Sequence, residues 1–258
     1  MTAAFPTLTR AGEGRYAIPV TKELAVGPPG HAYLFGGATL ALAFEAAADA
    51  TGRPIVQGAL QFVSFTPLGA TLDLAVEVLQ AGKTLAQVRV TGSVQDRLVF
   101  HAGVALGQRD GFAAQQWAEA PRVAKPAACP PCTTLPAQDD AARLLDGIEV
   151  REAGPAKPSP GRTLLWLRRR DGAPLDTASL AMFADFVPLA LGRATGQAGG
   201  GNSLDNAMRM VRTAPPGWCL CDIAINAAES GFAQGSVSLW DEAGKLLATG
   251  AQSLLVKA

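Results

Sequence analysis

The chain has 258 residues, and its 22 Lys plus Arg balance its 22 Asp plus Glu, so it carries no formal net charge. Hydrophobic residues make up 48% and charged residues 17%, which excludes a disordered chain and provides enough apolar side chains for a large core. Proteins that bind nucleic acid or an anionic membrane surface usually have a basic excess, so the balance argues against both partners.

Neither the hydropathy pattern nor the cysteines indicate export or a metal. No stretch of about 18 residues is apolar without a charge, Gly or Pro, and the N-terminus does not resemble a signal peptide. The four cysteines, Cys129, Cys132, Cys219 and Cys221, are too few for a disulfide scaffold and are poorly spaced for zinc. We therefore expect a cytoplasmic protein with reduced thiols and neither a metal nor a cofactor.

The N-terminal half begins with a predicted strand at residues 15–20, followed by an Ala- and Leu-rich segment at 36–51. Gly52 and Pro54 are stop signals, so this segment is predicted as a helix, and its apolar character indicates a buried one. Alternating apolar and polar residues from Thr71 onwards then predict antiparallel strands up to Leu106.

The C-terminal half repeats this order after a Pro-rich stretch at residues 109–160, which is typical of a linker. A strand is predicted at 162–170 and a helical region at 176–193. Four further strands are predicted at 204–211, 218–227, 232–241 and 245–256.

Matching pairs of residues indicate an internal duplication. Ala86-Gln87 and Ala233-Gln234 are 147 residues apart, and Pro67 and Pro215 are 148 apart. The sequence thus predicts two hotdogs, at 1–108 and 161–258, joined by the linker at 109–160. Since a helix apolar on most sides needs a curved sheet around it, we expect an α+β double hotdog. Its continuous antiparallel sheet would wrap two buried helices, and neither half is expected to be stable alone.

Asp185 is the only ionisable residue between residues 178 and 191. Burying a carboxylate costs several kcal/mol unless it is hydrogen-bonded or its pKa rises, so such a residue usually serves chemistry or caps a helix. Both interpretations remain open, because Pro188 three residues later suits the first turn of a helix beginning near Phe186.

Three other polar residues carry weaker signals. Ser203 begins a predicted strand and Gln252 lies in the last one; each, taken alone, is typical of a solvated position. His31 follows Pro28-Pro29-Gly30 and is more typical of a turn than of an acid or base. As an acid or base it would serve a hydratase, paired with Asp185 or with Glu45.

Several motifs in order resemble the acyl-CoA thioesterase II family, which is a double hotdog. In the second half they are LAMFADFVPLAL, NSLDNAMRM, PPGWCLCDI and GSVSLWDEAGKLLATGAQSLLV. In the first half they are YLFGGATLALAFEAA and QFVSFTPLGATLDLAVEVLQAGKTLAQVRV. The motif SLDNAM departs from the family form, which carries a His after the Asp.

This resemblance implies hydrolysis of acyl-CoA thioesters by a water that Asp185, Ser203 and Gln252 activate. It also suggests that Gly36, Gly37 and His31 contact substrate. The first copy has Gly36-Gly37 where the second has Ala184-Asp185, so we expect one site per chain. The implied partner is acyl-CoA, and the chain is expected to form a homodimer. A non-catalytic acyl-CoA-binding protein and an acyl-thioester hydratase or dehydratase are the alternatives.

Overall fold

The computed structural model describes residues 8–28, 30–135, 142–154, 159–197 and 200–256. The elements of the first half, in chain order, are β1 (Thr9–Gly12), β2 (Arg15–Pro19), β3 (Ala25–Val26), β4 (Tyr33–Leu34), α1 (Gly36–Thr51), β5 (Ile55–Phe62), β6 (Thr71–Ala81), β7 (Leu85–Val94) and β8 (Arg97–Gly107). Those that follow are β9 (Ile148–Glu152), β10 (Arg162–Arg169), α2 (Thr177–Ala184), α3 (Val187–Thr195), β11 (Gly201–Ser203), β12 (Asp205–Met210), β13 (Cys219–Glu229), β14 (Phe232–Asp241) and β15 (Leu246–Val256).

One antiparallel sheet contains 13 of the strands in the described residues and runs through both halves. Its order is β1-β2-β6-β7-β8-β5-β12-β15-β14-β13-β10-β9, with β11 beside β15. The order from β2 to β5 is repeated in reverse from β12 to β10, so the halves are related by an approximate two-fold axis. They meet where β5 pairs with β12, with Ala59 opposite Ala207. This arrangement confirms the predicted α+β double hotdog.

The helices lie on the inner side of the sheet and form the core with its inward-facing residues. In α1 the side chains of Leu40, Leu42 and Phe44 are fully buried, as the apolar composition predicts. The strands alternate between buried and exposed positions, most regularly in β7. Gly52 ends α1 in the left-handed conformation, which glycine adopts without steric cost.

The second helical region differs from the first because it is interrupted. The segment predicted as helical at 176–193 forms two helices, α2 and α3, with Asp185 and Phe186 between them. Asp176 caps α2 by accepting a hydrogen bond from the backbone N–H of Ser179. Pro188 lies in the first turn of α3, where its missing N–H costs no helical hydrogen bond.

The Pro-rich stretch at 109–160 does more than connect the halves. Strand β9 within it pairs with β10, and Pro131 forms a bridge with Arg151 of β9. Thr134 and Leu135 line the central cavity described below. None of the helices in the described part of the chain has the length and apolar character needed to cross a bilayer.

Candidate active site

Asp185 lies at the break between α2 and α3, with 5% of its surface exposed. The sequence left open whether it caps a helix. The structure places Phe186, not Asp185, at the N-cap position of α3, and Asp185 is the C-cap residue of α2. The Asp185 side chain points away from its own helices and reaches the start of α1 in the other half of the chain. Its carboxylate therefore joins the two copies of the repeat.

Three donors converge on this carboxylate. The backbone N–H of Gly37 donates to Oδ2 at 2.6 Å. The side-chain amides of Gln252 and Asn206 both donate to Oδ1, at 2.7 and 3.3 Å. The first turn of a helix has free N–H groups, so the start of α1 is suited to hold an anion.

Burial and hydrogen bonding act in opposite directions on the ionisation of Asp185. Burial disfavours the charged form and is the larger effect, whereas the donors Gln252, Gly37 and Asn206 favour it. The result is that burial raises the pKa of Asp185 to about 7. A carboxyl with that pKa can exchange a proton near neutral pH, as a general base or acid must.

Two glycines allow the start of α1 to approach Asp185 closely. A Cβ atom on Gly36 would lie 2.7 Å from Oδ2 of Asp185, and one on Gly37 would lie 2.8 Å from Cα of Met182 in α2. Any larger residue would therefore separate the two helices. Gly36 lines the cavity, while the N–H of Gly37 is used by Asp185 and is not directed at a ligand.

The structure brings Ser203 and Gln252 into the same hydrogen-bonded cluster. The hydroxyl of Ser203 donates to Oε1 of Gln252 at 3.3 Å, and the amide nitrogen of Gln252 donates to Asp185. Gln252 is only 3% exposed and has both ends of its amide engaged. Ser203, in contrast, lines the cavity. Gln252 therefore links Ser203 to Asp185.

A cavity of about 1020 Å³ opens beside this cluster. Its lining is mainly apolar; the aromatic residues in it are Tyr33, Phe35, Phe62, Phe65, Phe100 and Phe186. Its charged lining residues, among those that the structure describes, are Asp185 and Arg193. Arg193 is paired with Glu152 at 2.7 Å. The site thus combines one buried carboxylate with an apolar volume large enough for a hydrocarbon chain.

His31 lies apart from the cluster. It is exposed, it is not among the residues that line the cavity, and the described residues show no hydrogen bond between it and Asp185 or Glu45. The pairing that a hydratase mechanism would require is therefore not formed. The described residues also contain no group of three or more His, Cys, Asp or Glu that could hold a metal.

Sequence reasoning noted the position of Asn206 as a departure from the family's His but gave no role to it or to Tyr33. Asn206 is fully buried, and its place at an inward position of β12, two residues before the buried Met208, was a usable signal. Tyr33 lines the cavity, and burial, together with the negative charge of Asp185, raises the pKa of its hydroxyl. Nothing in the sequence around Tyr33 indicated this position.

The polar side chains of the cluster all belong to the second copy of the repeat, and the first copy contributes the backbone N–H of Gly37. Gly37 and Asp185 are 148 residues apart, and the same separation relates Gly58 to Asn206 and Val104 to Gln252. The strand pairing supports this correspondence. Gly58 of β5 lies opposite Val104 of β8. In the second copy Ala207 of β12 lies opposite Ala251 of β15, and Asn206 and Gln252 are their neighbours in the antiparallel register. The first copy has no polar side chain at any of the three positions, so the described structure has one such cluster.

Comparisons with known proteins agree with this architecture. The family profile of the acyl-CoA thioesterase N-terminal domain matches residues 27–107, and that of the C-terminal domain matches residues 126–256. No curated protein matches the sequence significantly.

Solved structures similar to the chain include a candidate thioesterase from Novosphingobium aromaticivorans. It is 68% identical, with a TM-score of 0.96, and the match covers 99% of this chain and 100% of that one. The acyl-CoA thioesterase II TesB2 of Mycobacterium marinum is 20% identical, with a TM-score of 0.78, over 97% of this chain and 96% of that one. Because both halves match the family profiles in order, the chain belongs to the acyl-CoA thioesterase family.

Proposed function

We propose that this thioesterase hydrolyses acyl-CoA to the free acid and CoA, with Asp185 as the general base. The observation that carries the proposal is a buried carboxylate, Asp185, that lies between the two halves, has a pKa of about 7 and borders an apolar cavity. The chemistry requires a base that is ionised near neutral pH and a pocket that takes the acyl group.

The reaction begins with a water that Asp185 holds at the cavity. Asp185 accepts a proton from the water, whose oxygen attacks the thioester carbon and forms a tetrahedral oxyanion. When this intermediate collapses, the C–S bond breaks and the proton passes from Asp185 to the leaving sulfur. The acid product and the CoA thiol then account for all atoms of the substrate and the water.

Backbone N–H groups at the start of α1 stabilise the oxyanion. Gly36 lines the cavity, and its N–H has no hydrogen-bond partner among the described residues. It lies at a helix N-terminus, where the dipole also favours negative charge. Preorganised donors of this kind are often the largest contribution to acyl-transfer catalysis.

Ser203 and Gln252 have different tasks in this mechanism. Ser203 borders the cavity and its hydroxyl donates a hydrogen bond to Oε1 of Gln252, so a lone pair of the Ser203 oxygen remains to accept a hydrogen bond from the water. We expected Gln252 to contact the water as well. With both ends of its amide engaged, it instead orients Asp185 and Ser203.

Release of CoA thiol from a panel of acyl-CoAs tests the proposal. Asp185→Asn should lower kcat by at least a hundredfold, because a general base contributes about 10²–10⁴-fold. Asp222→Asn is the matched control, since Asp222 is partly buried in an ion pair with Arg162 and does not line the cavity. Its activity should stay near that of the wild type, whereas unchanged turnover in Asp185→Asn would exclude Asp185 as the base.

The same panel separates hydrolysis from simple binding. If the wild type releases no thiol from any acyl-CoA but an acyl-CoA raises its Tm, the chain is a binding protein. We expect release, because the buried carboxylate would otherwise destabilise the fold without a function.

The expected homodimer is a separate prediction, which sedimentation equilibrium measures directly.

A further inference from the structure

Asn206 contacts the proposed base but does not belong to the Asp, Ser and Gln set implied by the family resemblance. It lies on β12, at the junction of the two halves, with none of its surface exposed. Its side-chain nitrogen donates to Oδ1 of Asp185 at 3.3 Å, while its own Oδ1 has no hydrogen-bond partner among the described residues.

An amide in this environment does not serve stability. A buried polar atom without a partner costs free energy, and an apolar side chain of similar shape at the same place is often neutral or stabilising. The first copy shows that the fold accepts an apolar solution. Gly58 occupies the corresponding position there, and the ring of Phe44 packs directly against it. The contact is so close that a Cβ on Gly58 would lie 2.3 Å from Cε1 of Phe44.

The hydrogen bonds on the two oxygens of Asp185 are unequal. Oδ1 accepts from Gln252 and from Asn206, which together use both of its in-plane lone pairs. Among the residues that the structure describes, only the N–H of Gly37 donates to Oδ2. The lone pair of the carboxylate that has no donor in this part of the chain therefore belongs to Oδ2.

We propose that Asn206 is a positioning residue that occupies the second lone pair of Oδ1 and thereby makes Oδ2 of Asp185 the atom that takes the proton from water. The inference rests on the proposed role of Asp185 as the base. Asn206 need not contact the substrate. It acts by holding the carboxylate in one orientation and by favouring its ionised form.

Two ionisable groups near Asp185, a thiol and a phenol, remain neutral around pH 7. Burial raises the pKa of the Cys221 thiol, which contacts the backbone of α2 through Phe183, and it also raises that of Tyr33. Both groups are therefore neutral at pH 7. Arg193 on the cavity wall is already paired with Glu152. A change in activity between about pH 6 and pH 8 can thus be assigned to Asp185.

The test is the pH dependence of kcat/KM in Asn206→Leu. Losing one hydrogen bond to a charged group should raise the pKa of Asp185 by about one unit or more. The rise of kcat/KM with pH should therefore move to higher pH by about one unit, giving about tenfold lower activity at pH 6 and little loss at pH 9. The Tm should stay the same or increase.

Asn206→Ala removes the same donor without adding volume and guards against overpacking by leucine. Its matched control is Met208→Ala, which removes a fully buried side chain from the next inward position of β12. Met208→Ala should lower the Tm and leave the pH profile in place. Asn206→Ala should shift the profile as Asn206→Leu does.

A second measurement does not depend on turnover. Titration of the ¹³C carboxyl resonance of Asp185, in the full chain and in both Asn206 variants, should show the same upward shift. If profile and resonance keep their wild-type midpoints, Asn206 has no influence on the base and the inference is wrong. If instead Asp185→Asn retains full activity, the proposed function fails, and the titration still reports whether Asn206 acts on the carboxyl.

Discussion

At the scale of the residue, the site depends on one carboxylate that the protein makes difficult to ionise. Burial raises the pKa of Asp185 to about 7, despite three donors that act in the opposite direction. A fully solvated aspartate would be ionised at neutral pH but would be a much weaker base. The raised pKa therefore increases base strength at the expense of stability.

This cost predicts how stability depends on pH. The folded pKa of Asp185 lies above the unfolded one, so between about pH 4 and pH 7 the folded state binds more protons and its stability falls as pH rises. From pH 5 to pH 8 the contribution of this group should fall by about 3 kcal/mol, since each pKa unit corresponds to about 1.4 kcal/mol.

Urea unfolding of the wild type and of Asp185→Asn at both pH values measures the difference. Asp185→Asn places an amide donor near the N–H of Gly37, but that clash is the same at both pH values and cancels in the comparison. Equal slopes of stability against pH in the two proteins would contradict the raised pKa.

The residues of this cluster differ in how far the sequence alone identifies them. Asp185 was visible because it is the lone ionisable residue in an apolar stretch. Ser203 and Gln252 were identified only through the family resemblance, since a polar residue in a strand is ordinarily solvated. Asn206 was given no role: the family resemblance marked its position only as a departure from His, and the apolar Met208 two residues later, on the same face of β12, was not used as a signal.

At the scale of the element, the interruption between α2 and α3 positions the base. The composition of residues 176–193 predicted helix, and Pro188 suggested a helix start near Phe186, but periodicity alone did not show that the first helix stops before it. The stop places the Asp185 side chain across the interface towards the start of α1. The interruption positions the base only because α1 packs closely against α2, and Gly36 and Gly37 permit that close contact.

Gly37→Ala tests this contact. The added methyl group would lie 2.8 Å from Cα of Met182 and 2.9 Å from the backbone oxygen of Ala181, so α1 and α2 must separate. We expect the free energy of unfolding to fall by about 1–3 kcal/mol. Because a displacement of about 1 Å can cost a hundredfold in rate, kcat should fall more than tenfold.

Gly103→Ala is the control for that substitution. Gly103 lies in β8, and a Cβ there would have no heavy atom within 4 Å. Urea unfolding and thiol release should both stay near the wild-type values. If Gly37→Ala behaves like this control, the close approach of the helices does not hold the carboxylate.

At the scale of the whole molecule, the duplication explains why the site is shared. The approximate two-fold axis brings Gly37 of one copy against Asp185 of the other, at equivalent places in the repeat. The sequence predicted the two copies from residue matches about 147 apart. It could not show the pairing of β5 with β12, because the alternation of each strand is compatible with several partners.

The shared sheet predicts that neither half folds alone. Separation would expose the edges of β5 and β12 and leave Asp185 without the N–H of Gly37. Residues 1–108 and 109–258, produced separately, should lack cooperative thermal unfolding and thiol release.

The control is the intact chain cleaved at a protease site inserted between Ala113 and Ala114, where both residues are exposed. The cleaved protein should keep its activity, since its halves are already paired; a separate half that unfolds cooperatively would show that the junction is not needed for folding.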